Sequence, residues 1–124
     1  MTEALQKQFE EELGKFKQLE KDREKYICSR QQLESQLTEN TLVKDELALL
    51  DDSATVYKLI GAALVKQDLV EARANVDKRI EYINSEMKRV EDALSDFSSK
   101  QAAQKENMVS LQDRFKKLAE SANK

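Results

Sequence analysis

Histidine, proline and tryptophan are missing from this chain, and its cysteine count is 1. Without histidine the commonest general base and the commonest metal ligand are both gone. With Cys28 alone, neither an internal disulfide nor a thiolate zinc site can be built, and a lone thiol fits a reducing compartment. No enzyme, no metal and no cofactor is therefore expected. No run of about 18 apolar residues exists, so no membrane span is expected. The start, Met1-Thr2-Glu3-Ala4-Leu5, lacks a basic segment and an apolar core, so no secretory signal is expected and a cytoplasmic home follows. Net charge is only −3, with 21 basic and 24 acidic residues interspersed. No basic stripe marks a nucleic-acid surface.

Punctuation is scarce as well. Gly14 and Gly61 are the 2 glycines of 124 residues, and aromatics make up 6%. What remains is rich in Glu, Lys, Gln, Leu and Ala, the composition of long helix rather than of a packed α/β core. Low hydropathy also suits disorder, but disorder does not require apolar residues to be regularly spaced, and here they are.

From Leu69, alternate steps of four and three reach Arg73, Val76, Ile80, Ile83, Met87, Val90, Leu94, Phe97, Gln101, Gln104, Met108, Leu111, Phe115, Leu118 and Ala122. Counting Leu69, 13 of these 16 positions are apolar. That is a coiled-coil seam, and it predicts a helix over about 69–124, roughly 80 Å long at 1.5 Å per residue. The amino-terminal part repeats the spacing more weakly through Leu5, Phe9, Glu12, Phe16, Leu19, Arg23, Tyr26, Arg30, Leu33 and Leu37. A helix over about 2–50 follows, continuing through Leu42, Val43, Leu47 and Leu50. Gly14 weakens it by about 1 kcal/mol relative to alanine.

Between the helices, Asp51-Asp52-Ser53 competes for its own backbone hydrogen bonds. Thr55-Val56-Tyr57-Lys58-Leu59-Ile60 and Ala62-Ala63-Leu64-Val65-Lys66-Gln67 are two β-prone runs hinged at Gly61. They predict a β-hairpin over about 55–67. An irregular loop is the other reading, but one this long is uncommon inside a compact domain. So short a linker folds the helices back into an antiparallel coiled coil. The expected fold is mainly α, a single domain over 1–124 with one central β-hairpin.

A lone two-stranded hairpin is marginal in water. Val56, Tyr57, Leu59, Ile60, Leu64 and Val65 give both of its faces apolar character, so this ribbon calls for strands and a sheet from other chains. With the turn centred near Ile60, Leu5 stands opposite Arg114 and Phe115, and Glu12 opposite Asn107 and Met108. The far end then carries Leu5, Phe9, Met108, Leu111, Phe115 and Leu118 with incomplete cover. Just inside it sit Glu12, Gln101 and Gln104, polar seam positions that lower stability while fixing register. Either these apolar residues form an exposed tip, or they pack as ordinary coiled coil that frays.

One stretch is more specific than a heptad. Val56-Tyr57-Lys58-Leu59-Ile60-Gly61, then Leu64-Val65-Lys66-Gln67-Asp68, then Glu71-Ala72-Arg73-Ala74-Asn75-Val76-Asp77-Lys78-Arg79-Ile80-Glu81-Tyr82-Ile83 resembles the prefoldin family, in particular its beta-type subunits. The likeness covers roughly 42–90, and the outer arms match in period and length only. Beta-type subunits often carry a proline or another turn-former after the glycine, where this chain has Ala62.

The resemblance implies a heterohexamer of alpha-type and beta-type subunits whose hairpins join in an oligomeric β-barrel body. Non-native proteins, actin and tubulin among them, would be held at the coiled-coil tips without ATP and passed to the cytosolic chaperonin. Val56, Tyr57, Leu59, Ile60, Leu64 and Val65 would then serve assembly. Leu5, Phe9, Leu111, Phe115 and Leu118 are the candidates for client contact, from register rather than from a motif. The alternative function is a structural coiled-coil tether or scaffold subunit, which explains the heptads but gives the midpoint ribbon nothing to do.

Overall fold

Helix-forming residues crowd both halves of the chain, and the computed structural model, which describes residues 2–122, has two long helices flanking a hairpin. The order is α1 (Thr2–Ala48), β1 (Val56–Ile60), β2 (Ala63–Gln67) and α2 (Leu69–Ala122). The mainly α class with a central antiparallel hairpin is what the spacing predicts. The expected reach of α2 to 124 covers two residues outside the described ones. Contacts gather the chain into two units, one of residues 29–89 and one of 2–28 with 90–122.

In the first unit the end of α1 runs antiparallel to the start of α2, with the hairpin joining them. Leu47, Leu69, Ala72 and Val76 are buried together, and Val56 and Ile80 pack against them. Ile83 is buried as well. Full burial of such aliphatic side chains is worth about 1.5–3 kcal/mol each. Helix α1 ends at Ala48, two residues short of the expected Leu50. The Leu49 N–H donates to the Glu46 carbonyl at 3.1 Å and that of Leu50 to Leu47 at 3.3 Å, the tighter pattern that closes a helix. The Asp51 carboxylate then accepts from the Ser53 N–H at 2.9 Å and from the Ser53 hydroxyl. Those bonds, the hydroxyl's first, hold the Asp51 carboxyl below its usual pKa and redirect the backbone out of the helix. Leu42 and Val43 lie exposed rather than continuing the apolar stripe. On the four–three spacing the positions after Leu37 are Asn40, Lys44 and Leu47, and of these Leu47 is buried.

At the other side of the hairpin, the Asp68 carbonyl accepts the first bond of α2 from the Ala72 N–H at 2.9 Å. Asp68 thus stands at the N-cap, with Glu71 in the first turn, where acidic side chains suit the helix dipole. The strands pair from Val56↔Gln67 to Ile60↔Ala63, leaving Gly61 and Ala62 as the turn. Gly61 has φ +59°, and no non-glycine residue has positive φ among the described residues. A positive φ at the first turn position alone is the type II′ pattern, which glycine allows and which matches the twist of the strands.

In the second unit the start of α1 lies antiparallel to the rest of α2. Val90 is fully buried, and Tyr26 packs on Phe97 with ring centroids 5.3 Å apart at 54°. The tilted geometry suits the ring quadrupoles. The seam beyond Phe97 is half-buried through Gln101, Gln104, Met108 and Leu111, while Phe115 and Ala122 are exposed. Arg23, a seam position of the weaker amino-terminal pattern, is exposed too.

Candidate functional site

Leu5 and Phe9 are four residues apart on α1, as are Leu111 and Phe115 on α2, so each pair shares one helix face. The second unit brings both pairs together. With Gln6 and Gln112 they line a groove of about 290 Å³. Leu5, Phe9 and Leu111 are half-buried in it, and Phe115 is 45% exposed. Leu118 is half-buried and does not line it. Every lining residue is apolar or an uncharged amide, so the groove offers shape and apolar surface and no charge. It has neither a nucleophile nor a proton donor of catalytic type.

Glu12 and Gln104 meet across the same unit. The Gln104 amide donates to the Glu12 carboxylate and, at 3.3 Å, to the Glu12 backbone carbonyl. Lys15 also lies 3.6 Å from the Glu12 carboxylate. The polar seam position on α1 therefore bonds a polar position on α2, four residues before Met108. A half-buried carboxylate and amide satisfy one another there, which fixes one register of the pair.

The second candidate surface is the hairpin. The pairing places Val56, Lys58 and Ile60 on one face with Ala63, Val65 and Gln67, and puts Tyr57 and Leu59 on the other with Leu64 and Lys66. Val56 packs against the buried cluster of its own unit. Tyr57, Leu59, Ile60, Leu64 and Val65 are all exposed. Both outer strand edges are open, since the sheet has 2 strands. Apolar faces and unpaired edges together make a surface able to pair with other strands.

Sequence reasoning did not find what ties the end of α1 to the start of α2. Arg73 stands at a seam position that reads as a polar defect. Its guanidinium donates to the Leu47 carbonyl at 2.9 and 3.3 Å and to the Leu50 carbonyl at 3.0 Å. It caps the carboxy-terminal carbonyls of α1, where a cation also suits the helix dipole. Lys44 and Asp77 add an exposed ion pair at 3.1 Å between the same helices, worth at most about 1 kcal/mol. The exposed Leu42, Leu49 and Val70 were also missed as surface features.

Among the described residues, no group of three or more His, Cys, Asp or Glu side chains is placed to hold a metal ion. No helix among the described residues is long and apolar enough to cross a membrane.

Comparison with known proteins shows the family of the chain. A family model described as "Prefoldin subunit" matches residues 10–120. A Caenorhabditis elegans protein, "Probable prefoldin subunit 6", is 53% identical over 114 residues, covering 92% of this chain and 90% of that one. The Homo sapiens "Prefoldin subunit 6" is 50% identical over 117 residues, covering 94% and 91%. Among solved structures, the prefoldin beta subunit from Thermococcus strain KS-1 shares the fold with a TM-score of 0.77 at 24% identity, over 83% of this chain and 90% of that one.

Proposed function

The chain belongs to the prefoldin family, and on that premise we propose that it works as one beta-type domain in a heterohexameric, ATP-independent co-chaperone of the cytoplasm. Its hairpin residues Val56, Tyr57, Leu59, Ile60, Leu64 and Val65 join those of alpha-type and other beta-type subunits in a β-barrel. Its groove residues Leu5, Phe9, Leu111 and Phe115, with Leu118, hold apolar segments of unfolded proteins such as actin and tubulin. Clients then pass to the cytosolic chaperonin, and the chain itself catalyses nothing.

The observation that carries this reading is the uncharged apolar groove at Leu5, Phe9, Leu111 and Phe115. An unfolded client presents large apolar side chains of no fixed sequence, and a site without charge or directional chemistry accepts them with little selection. A tether would have no use for such a groove or for an open ribbon.

The test uses the chain assembled with its partner subunits and an unfolded client, without nucleotide. The variant carries Leu5→Ser, Phe9→Ser, Phe115→Ser and Leu118→Ser. Each side chain contributes about 1.5–3 kcal/mol at best when fully buried. Light scattering should show weaker suppression of client aggregation while sizing shows an intact complex. The loss is partial, because several arms hold one client and multivalent binding tolerates the loss of one. Full protection by the intact variant complex against several clients would overturn the assignment of the groove.

A further inference from the structure

Apolar contact alone would hold the two helices of the second unit together without deciding how they align. Leu5, Phe9, Phe16 and Leu19 on α1 and Met108, Leu111 and Leu118 on α2 are all half-buried. These side chains are large and apolar, and their contacts carry no direction. Sliding one helix past the other by a turn, about 5.4 Å, sets large apolar residues against one another again. Several alignments are then close in energy, and only one of them makes the groove.

Glu12 and Gln104 separate these alignments. Both are half-buried, and the Glu12 side chain is 21% exposed. The Gln104 amide donates to the Glu12 carboxylate and, at 3.3 Å, to the Glu12 backbone carbonyl. Lys15 shares α1 with Glu12, so its ion pair with that carboxylate does not bear on alignment. A hydrogen bond weakens steeply outside a narrow range of distance and angle, so a slide of one turn breaks both bonds. Carboxylate and amide would then be left half-buried without each other, which costs more than the made bond contributes. The pair also stands close to the groove. Phe9 lies three residues before Glu12, and Leu111 seven after Gln104. Leucine at either position would simply continue the apolar seam, so stability gives no reason for a carboxylate and an amide there.

We propose that Glu12 and Gln104 are positioning residues for the groove. Their bond selects the alignment that sets Leu5 and Phe9 against Leu111 and Phe115, and it lowers stability in doing so, as polar seam positions do. The inference rests on the client-holding role proposed above.

The test compares three forms of the chain, each assembled with its partner subunits. One is unsubstituted, one carries Glu12→Leu with Gln104→Leu, and one carries the exchange Glu12→Gln with Gln104→Glu. The exchange keeps a side-chain bond between the helices with its direction reversed. Melting is measured on each free chain, and suppression of client aggregation on each complex, with sizing to show that it is intact. The leucine form should melt higher than the unsubstituted chain, yet need several-fold more complex for the same protection. The exchange form should protect as the unsubstituted one does. Equal protection by the leucine form overturns the positioning role, as does an exchange form that protects no better than the leucine form. So does protection that merely follows melting temperature across the three, which a structural role alone would give. The serine variant of the groove separates the two readings. If it weakens holding and the leucine form does not, the positioning alone is wrong. If the serine variant protects fully, the groove and its positioning fall together.

Discussion

The two units use the same helices in opposite ways. Residues 29–89 bury Leu47, Leu69, Ala72, Val76 and Ile83 and still leave 11 large apolar side chains in water. The unit of 2–28 with 90–122 has fewer buried residues: Val90 is closed off, while most of its seam is half-covered. One unit is firmly packed and carries excess apolar surface. The other shares its apolar residues between internal packing and a shallow groove. The proposed roles suit this difference: a surface for lasting contact can stay apolar because a partner would cover it, and one for brief contact has to remain tolerable in water, which half-burial allows.

That contrast breaks first under truncation of the core. Ile83→Ala removes a buried side chain and should cost about 2–5 kcal/mol, with a cavity left behind. Leu111→Ala removes a half-buried one and should cost clearly less, by thermal or urea unfolding of the free chain. Equal costs would show that the seam of the second unit is as tightly packed as the first.

Much of this arrangement is legible in the sequence, and what is not has physical reasons. The spacing along α2 finds its covered positions from Leu69 to Leu111, because packing against one neighbouring helix imposes one period. The hairpin and its Gly61 turn are legible because only a few residue types suit a positive φ. The amino-terminal helix reads less well. Arg23 and Arg30 fall on the spacing yet are exposed, and Leu42 and Val43 extend an apolar run without entering the core. Apolar residues that stay exposed and apolar residues that enter the core look alike in a string of letters. Arg73 was not legible either, since its acceptors are backbone carbonyls, which every residue carries.

A second comparison asks whether the groove or mere exposure matters. Phe115 and Val109 are nearly equally exposed, at 45% and 48%, but Phe115 alone lines the groove. Phe115→Ser should weaken holding of a fluorescent unfolded client several-fold, and Val109→Ser should leave it unchanged. Similar losses from both would spread client contact over the whole helix surface and dissolve the groove as a site.

The smallest effect expected is at the polar seam. Replacing Glu12 and Gln104 together by leucine removes a satisfied polar pair and adds apolar contact, so stability should rise by about 1 kcal/mol or slightly more. Either single replacement leaves one polar group without its partner and should lower stability instead. A double variant that melts below the unsubstituted chain would show that the pair stabilises as well as positions.

The open edges of β1 and β2 also have a consequence for supply. On the assembly role proposed for the ribbon, the effective stability of this chain rises with the concentration of its partners, by mass action. A copy made in excess keeps its strands unpaired, and unpaired apolar strands are what aggregation and proteolysis act on. On that proposed role the two open edges turn a matter of hydrogen bonding into one of stoichiometry: the surviving amount of this chain follows the amount of its partners.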